Sequence, residues 1–331
     1  MRRLAILLLS ILHPVLAQAV GPSCAAPGPV SERGERLARI ALSEYARFNG
    51  HRIDAQGRLW KFGSVETETE PLLNPDAGKP EAQDPERFAW RRVWRYWQTL
   101  DQHVPGTLAH RRISWVPGLL DAPDAGSRPR ATTLEKAFAE LPMTAEGASS
   151  ELQREALVRA ALSDNAWSAA FISFLMHEAE LPDAAFRYSS AHAVYIRPAL
   201  EGQVDYAYRA CDPRRTQPRV GDLICYSRGE NALADFRDWQ AHASELGGGS
   251  KSHCDLVVSV DKGAAKLESI GGNVLQSVTR RKLMLNEQGT LSDRHQLARH
   301  PIKPGSECGR DATCTKSDLN LQRWGVLLQL R

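Results

Sequence analysis

The sequence lacks an apolar run long enough to cross a membrane, because a spanning helix needs about 20 apolar residues and no stretch reaches that length. It also lacks a clustered basic excess. The formal net charge is +3, and the short basic runs "RRVWRYW" and "RRK" lie among dispersed acidic residues. Since nucleic-acid binders usually concentrate basic residues on one surface, we expect neither a membrane span nor a nucleic-acid partner.

Short motifs typical of metal sites are missing too. No C-x-x-C pair occurs, and "HEAEL" lacks the second histidine of a metalloprotease helix. The sequence therefore predicts no metal ion and no other cofactor. The G-x-S-x-G motif of many serine esterases is also absent, so an esterase or acyltransferase is an alternative on chemical grounds alone.

The first residues have the pattern of an export signal. Arg2 and Arg3 precede an apolar run from Leu4 to Leu12, and "AQA" ending at Ala19 supplies the small residues that a signal peptidase recognises. We expect cleavage after Ala19, which removes two arginines and no acids and lowers the formal net charge from +3 to +1. The predicted mature protein is periplasmic or secreted.

Six cysteines follow the predicted cleavage point. They are Cys24, Cys211, Cys225, Cys254, Cys308 and Cys314. Exported chains meet an oxidising compartment in which disulfides persist, so three bridges are possible, and their connectivity cannot be deduced from sequence. A local bridge between Cys308 and Cys314, which flank the polar loop "GRDAT", is the favoured pair. A zinc site is the alternative for these thiols.

Hydrophobic periodicity changes along the chain from helical to strand-like. Helical spacing is found in "PVSERGERLARIALSEYARFN", "PERFAWRRVWRYWQTLDQ", "TTLEKAFAELP" and "SSELQREALVRAAL", and "HRIDAQGRLWKFG" has the pattern of a short hairpin. From Gly221 the strand-like segments are "GDLICYS", "CDLVVSVD", "AKLESI" and "SVTRRKL". Helices followed by antiparallel strands indicate an α+β fold. We predict a signal peptide at 1–19, a helical N-terminal region at 20–150 and a further domain at 151–331.

The segment "DNAWSAAFISFLMHEAEL" predicts a helix that begins near Ser163 or Asp164 and carries Ser168 in its first turn. Free backbone N–H groups and the helix dipole there stabilise a developing anion, so Ser168 is a candidate nucleophile. A serine hydroxyl also needs a base, and the candidates are His192 and His253. The alternative is that Ser168 only caps the helix.

His253 has the better setting for a base, because it follows the glycine-rich "LGGGSKS" and opens a predicted strand. Asp255 shares its face of that strand and either contacts the base or terminates the strand. The next strand is predicted to end at "IGGN", with Asn273 in a turn at the level of His253. An amide oxygen there would fix the imidazole tautomer, as the third member of a triad does.

Three further features have two interpretations each. His192, in "YSSAHAVYI", either binds substrate or acts as an alternative base, or it is a hydrogen-bonded structural histidine. Trp167 either contacts substrate or packs in the core beneath the nucleophile. The stretch 228–252, between two predicted strands, is either a lid over a cleft or an ordinary surface insertion.

Four motifs in order, "NAWSAAFISFLM", "VGDLICYS", "SHCDLVVSVD" and "LESIGGNVLQSVT", resemble the CHAP and NlpC-type amidohydrolase and peptidase superfamily. The resemblance covers about residues 160–283. It implies a papain-like fold over 151–331, in which a helix packs on an antiparallel sheet. It also implies Ser168 as nucleophile, His253 as base and Asn273 as orienting group.

Two positions depart from the superfamily pattern. Its nucleophile is usually cysteine, whereas this chain has Ser168. Gly271 stands where many relatives carry glutamate, which leaves Asn273 alone in the orienting role or shifts part of that role to Glu268. The resemblance implies an exported hydrolase that cleaves an amide bond in peptidoglycan. The serine replacement leaves open an inactive wall-binding or interaction protein on the same fold.

Overall fold

A computed structural model describes residues 24, 28–68, 88–118, 128–141, 147–297 and 318–331. The helices within these ranges are α1 (Glu32–Arg47), α2 (Ala89–His103), α3 (Leu134–Ala139), α4 (Ala148–Asp164), α5 (Ser168–Glu178), α6 (His192–Leu200) and α7 (Phe236–Ala241). The strands are β1 (Arg52–Ile53), β2 (Leu59–Lys61), β3 (Arg112–Trp115), β4 (Arg130–Thr133), β5 (Tyr208–Cys211), β6 (Leu223–Ser227), β7 (Ser252–Asp261), β8 (Lys266–Val274), β9 (Ser277–Met284) and β10 (Arg323–Leu330).

One large sheet organises the fold. Its eight strands run in the order β2-β1-β9-β8-β7-β6-β10-β5, and β3 pairs with β4 in a separate small sheet. Neighbours in the large sheet are antiparallel except β1 and β9, which are parallel. The four central strands, β6 to β9, are those that the sequence predicted. The prediction of an α+β fold is confirmed.

Helix α5 is the central helix of the structure. It packs against β7 and β8 of the sheet and against the helices α1 and α2. Because it is enclosed in this way, even its opening residues Ser168 and Ala169 are buried. Helices of the predicted N-terminal region therefore contribute to the same core as the sheet. The boundary at residue 150 stays a prediction.

The two faces of β7 belong to different clusters of buried side chains. Cys254, Leu256 and Val258 lie in the large cluster that contains α5, whereas Val257 lies in a smaller cluster with Tyr226. Successive strand residues point to opposite faces. The face of His253 and Asp255 is therefore the Val257 face, opposite to the one on which α5 packs.

Two disulfides join distant parts of the chain, Cys24 to Cys211 and Cys225 to Cys254. The second links directly opposed residues of β6 and β7. Such bonds fit the oxidising compartment that the export signal predicts. No helix within the described ranges is long and apolar enough to cross a membrane. The predicted Cys308–Cys314 bridge and the signal peptide at 1–19 lie outside the described residues.

Loss of the Cys225–Cys254 bond should lower the free energy of unfolding by about 3 to 4 kcal/mol, because a crosslink between residues 29 apart restricts the unfolded chain by roughly that amount. The measurement is urea unfolding of the Cys24→Ala/Cys211→Ala protein with and without a thiol reductant. That background isolates the β6–β7 bond from the other described bond. Identical midpoints in the two conditions would contradict the prediction.

Candidate active site

Ser168 is the first residue of α5, so its predicted place in the first turn of a helix is confirmed. The predicted helix start near Ser163 or Asp164 is wrong, because those residues end the preceding helix α4. The side-chain amide of Asn165 donates to the carbonyl of Ala161 at 2.7 Å. This bond satisfies a carbonyl in the last turn of α4, and the chain turns before α5 begins.

The backbone N–H groups at the start of α5 lie around Ser168. The first N–H bonded within the helix is that of Phe171, to the carbonyl of Trp167, and Trp167 provides no side-chain cap. The N–H groups of Ser168, Ala169 and Ala170 therefore precede the helical ladder, at the positive end of the dipole. They can stabilise an anion formed on an atom beside the Ser168 hydroxyl.

The Ser168 hydroxyl lies 2.7 Å from Nε2 of His192, the first residue of α6. The other ring nitrogen, Nδ1, is hydrogen-bonded to the hydroxyl of Tyr195 on the same helix. Ser168 and His192 are each only 4% exposed. A hydroxyl and an imidazole at this distance have the geometry of a nucleophile and its base, and Ser168 is not the N-cap of α5, which is Trp167.

The prediction that His253 is the base in contact with the Ser168 hydroxyl is wrong, because His192 makes that contact. His253 lies on the face of β7 opposite to Leu256, which packs with α5, and its ring contacts Tyr226 with centroids 5.2 Å apart. Its Nε2 is bonded to the Asp255 carboxylate at 2.8 Å. The rings of His192 and His253 are 5.0 Å apart. The two histidines are thus adjacent, with His192 on the serine side.

Asp255 is fully buried and makes three polar contacts. Besides His253, it accepts from Arg281 Nε at 2.9 Å and from the Ser269 hydroxyl at 3.1 Å. Burial alone would raise the pKa of Asp255, but the positive charge of Arg281 and the bonds from His253 and Ser269 outweigh it and lower the pKa. Asp255 is therefore a carboxylate that accepts the Nε2–H of His253. Of its two predicted roles, contact with the histidine is the one observed.

The absence of a side chain at Gly271 leaves the space in which Asp255 contacts His253. A Cβ atom added at Gly271 would lie 2.9 Å from His253 Nε2 and would overlap the Asp255 carboxylate. Position 271 therefore has no room for a side chain while Asp255 is in place. The acidic group beside His253 comes from β7, two residues along the same strand, and not from position 271 on β8.

The predicted Gly-Gly-Asn turn is wrong. Gly271 and Asn273 lie inside β8, whose register with β9 shifts between Gly271 and Val274, and the hairpin turns at Leu275 and Gln276 instead. Asn273 has a left-handed φ of 55°, and its side chain makes no hydrogen bond with any described residue. The group that orients His253 is Asp255, not Asn273.

Glu268 is also remote from His253. Its carboxylate pairs with Arg280, and with Lys282 at 3.9 Å. Both partners lie on β9, beside a small surface cavity that Arg52 and Trp60 also line. The partial orienting role left open for Glu268 therefore has no support in the structure.

Trp167 is fully buried, so of its two interpretations the structure supports core packing and not contact with substrate. Its ring lies against Phe48 and Tyr96, and its Nε1 donates to the carboxyl of Glu66. Burial raises the pKa of Glu66 to about 7, although the bond from Trp167 opposes this. Glu66 therefore anchors the residue before Ser168, a role that the sequence did not predict.

The two histidines have electrostatic surroundings that keep them neutral. Burial lowers the pKa of His192 well below 6.5, and the nearby His253 and Arg228 lower it further. Burial also lowers the pKa of His253, against the opposing effect of Asp255. A neutral imidazole can accept a proton. Within the described part of the chain, no group of three or more histidine, cysteine, aspartate and glutamate residues could hold a metal ion.

Glutamine at His192 should destabilise the protein less at low pH than at neutral pH. The folded pKa of His192 lies below the 6.5 of the unfolded chain, so below pH 6.5 the unfolded state binds more protons and the wild type loses stability. The variant lacks that loss. The measurement is the difference in urea midpoint between the variant and the wild type, from about pH 7.5 down to about pH 5.

Exposed Gln102 on α2, replaced by alanine, is the control, because this change adds or removes no ionisable group, and its difference from the wild type should not change over the same pH range. A difference that is constant for His192→Gln as well would show that His192 is not held neutral by burial.

The stretch 228–252 contains helix α7 and, together with Ser227, lines a cavity of about 700 Å³ at the ends of β6 and β7. Phe236 and Trp239 lie on α7, and Trp239 is buried. Ser227 and Ser252, a directly opposed pair of the β6–β7 ladder, line the cavity beside His253. The stretch therefore covers the ends of the strands that carry the site.

Comparison with known proteins gives one family match. The model of a family described as "Uncharacterized protein conserved in bacteria (DUF2272)" matches residues 132–330, which is more than half of the chain. The match includes α3 to α7, β5 to β10 and every member of the site from Ser168 to Arg281. No curated protein and no solved structure matches the chain.

Proposed function

The chain belongs to this DUF2272 family, and we propose that it is an exported serine hydrolase that cleaves an amide bond in peptidoglycan. The observation that carries the proposal is the 2.7 Å contact between the Ser168 hydroxyl and His192 Nε2 at the start of a helix. It combines a nucleophile, a base and unbonded backbone N–H groups in one place.

The reaction begins with attack of Ser168 Oγ on the amide carbonyl carbon, while His192 Nε2 takes the hydroxyl proton. The carbonyl oxygen becomes an oxyanion that the first N–H groups of α5 stabilise. When the C–N bond breaks, His192 returns the proton to the leaving nitrogen, which leaves an acyl ester on Ser168. Water then attacks the ester, with His192 again as base, and releases the acid.

Proton transfer requires a particular tautomer of His192. Nε2 must carry the lone pair, so Nδ1 carries the hydrogen and donates it to the Tyr195 oxygen. Tyr195 is neutral, because burial raises its pKa well above 10. It therefore orients the ring but stabilises the imidazolium less than a carboxylate would. The carboxylate of Asp255 is bonded to the neighbouring His253, whose ring lies 5.0 Å from the His192 ring.

Three observations support an amide of peptidoglycan as substrate. The export signal and the two disulfides fit a location outside the cytoplasm. The four ordered motifs resemble enzymes that cleave amides through a nucleophile at a helix start. The packing of α5 on β7 and β8 has the arrangement that this resemblance implies.

A second candidate function is binding without catalysis. Ser168 is only 4% exposed and His192 is no more exposed, whereas attack on a substrate needs access to the hydroxyl. A serine that replaced cysteine and became enclosed would leave a protein that holds wall fragments without cleaving them. An esterase or acyltransferase would use the same residues on an ester and is a further alternative.

Digestion of purified peptidoglycan by the mature protein tests the proposal, with released fragments identified by mass spectrometry. We expect fragments with a new amine and a new carboxylate from the wild type and none from Ser168→Ala. Equal release by both proteins would refute Ser168 as nucleophile. Binding of the polymer without release would favour the second candidate.

A further inference from the structure

A cavity at the ends of β6 and β7 lies next to the site but has no role in the proposed reaction. Its volume is about 700 Å³, within the range of roughly 300 to 1,000 Å³ of pockets that bind small ligands. Its lining residues all lie between 227 and 252 and include Arg228, Glu230, Trp239, Glu245 and Lys251. We call it the β6–β7 cavity.

The cavity is close to both histidines. Its floor residue Ser252 directly precedes His253, and its opposite floor residue Ser227 follows Tyr226, the strand partner of His253. Arg228 also lines the cavity, and its positive charge lowers the pKa of His192 and of His253. A ligand in the cavity would therefore lie beside the strand ends that carry Tyr226 and His253.

The cavity is lined by equal numbers of positively and negatively charged side chains, which form no salt bridges with one another. Arg228 and Lys251 supply two positive charges, and Glu230 and Glu245 supply two negative ones. None of the four forms a salt bridge with another residue in the ranges that the structure describes. Buried Trp239 adds an apolar surface. Such a lining can bind a group that carries charges of both signs.

The two positively charged residues are neighbours. The backbone N–H of Arg228 donates to the Lys251 carbonyl at 3.0 Å, where β6 and β7 meet the stretch 228–252. Glu230 and Glu245 line the same cavity. A carboxylate can therefore pair with Arg228 and Lys251, and an amine with Glu230 and Glu245.

We propose that the β6–β7 cavity binds the end of a peptide that carries both a free carboxylate and a free side-chain amine. Arg228 and Lys251 bind the carboxylate, and Glu230 with Glu245 binds the amine. This inference rests on the proposed function for the place of cleavage, since the amide to be cut would lie toward Ser168. Binding itself requires no cleavage and can be measured separately.

The test uses the Ser168→Ala protein and isothermal titration calorimetry with three synthetic peptides. The first is Ala-Ala-Lys with a free carboxylate, the second is its C-terminal amide, and the third is its Nε-acetyl derivative. Each derivative removes one charge from the same peptide. We expect about tenfold weaker binding of each derivative, which corresponds to roughly 1.4 kcal/mol.

Two further variants assign the contacts, both made in the Ser168→Ala protein. Arg228→Gln should lower the affinity for the parent peptide and for the acetylated peptide but leave the affinity for the C-terminal amide unchanged. Glu245→Gln should lower the affinity for the parent peptide and for the C-terminal amide but leave the affinity for the acetylated peptide unchanged. Arg237→Gln is the matched control, because Arg237 is exposed on α7 and does not line the cavity, and it should change no affinity.

Equal affinity of the Ser168→Ala protein for all three peptides would overturn the proposal, as would losses that Arg228→Gln and Glu245→Gln do not alter. If the affinities follow the expected pattern but the wild type does not digest peptidoglycan, the proposed binding site is supported and the proposed hydrolase activity is refuted. If the wild type digests peptidoglycan but the three peptides bind equally, only the proposed binding site is refuted.

Discussion

Alanine at Ser168 and alanine at His192 are each expected to lower kcat for amide cleavage by at least about a thousandfold, and the double variant should lose no more than either single one. Nucleophile and base act as one unit, so removal of either member abolishes the same step. The 2.7 Å contact between the two side chains is the structural basis. The measurement is the rate of release of soluble fragments from peptidoglycan.

His253→Ala tests which histidine is the base: His192, which contacts Ser168 in the structure, or His253, which the sequence favoured. With His192 on the serine and His253 bonded to Asp255, His253→Ala should cost much less, about tenfold, through the loss of a neighbour. Asn273→Ala should cost less still. A thousandfold loss in His253→Ala with activity retained in His192→Ala would reverse the assignment.

Ser168→Cys distinguishes a working serine site from a degenerate one. A thiol loses its proton more readily than a hydroxyl, so a cleft that descends from thiol enzymes should keep activity with sulfur in place. An inert wild type with an active Cys variant would identify a protein that has lost catalysis. Thermal unfolding of each variant checks that the loss of activity is not a loss of fold.

The elements of the fold that sequence predicted best are those with a clear period and local signals. Helix α1 begins at a serine cap, Ser31, whose hydroxyl accepts from Gly34 N, and buries Leu37 and Ala41 at helical spacing. Strand β9 alternates buried and half-buried residues from Thr279 to Met284. Such signals depend on neighbours in sequence, so they can be found without knowledge of the tertiary structure.

Strand β10 (Arg323–Leu330) was missed because it is buried on both faces between β5 and β6. A central strand of this kind has a continuous apolar run and no alternation, and its place depends on partners more than 90 residues away in the chain. Helix α6 was missed for another reason. Its N-cap, Ala191, supplies no side-chain bond, and Pro198 lies inside it, so the start and stop signals of a helix are absent.

The candidate site shows the same division between local and distant information. Ser168 was found because its helix and its place in that helix are local. The choice between His192 and His253 depended on which histidine lies beside the start of α5. His192 lies there because it is on α6, a helix that was not predicted. His253 does not, because the opposite face of β7 packs on α5. Asp255 was placed on the face of His253 by alternation alone, and the structure shows the bond between them.

Asparagine at Asp255 should lower the free energy of unfolding by about 3 to 5 kcal/mol, because it removes one partner of a buried ion pair and leaves the other charge uncompensated. Arg281 is 2% exposed and its Nε donates to Asp255 at 2.9 Å. Asparagine has nearly the same shape, and its one carbonyl oxygen can still accept from His253 while its NH2 group, in place of Oδ2, donates to the Ser269 hydroxyl. The expected loss therefore comes from the charge and from the acceptor that Arg281 loses. Urea unfolding near neutral pH measures it.

A second substitution shows whether the uncompensated arginine is the cause. Arg281→Met in the Asp255→Asn protein should restore part of the lost stability, since an apolar side chain of similar length removes the unpaired charge from the interior. Glu201→Gln is the matched control, because it breaks the Arg197–Glu201 pair at the surface of α6, and such a pair contributes no more than about 0.5 kcal/mol. An Asp255→Asn protein as stable as the control would show that Arg281 finds another partner. The charge of Asp255 would then not be what links β7 to β9 across the intervening strand β8.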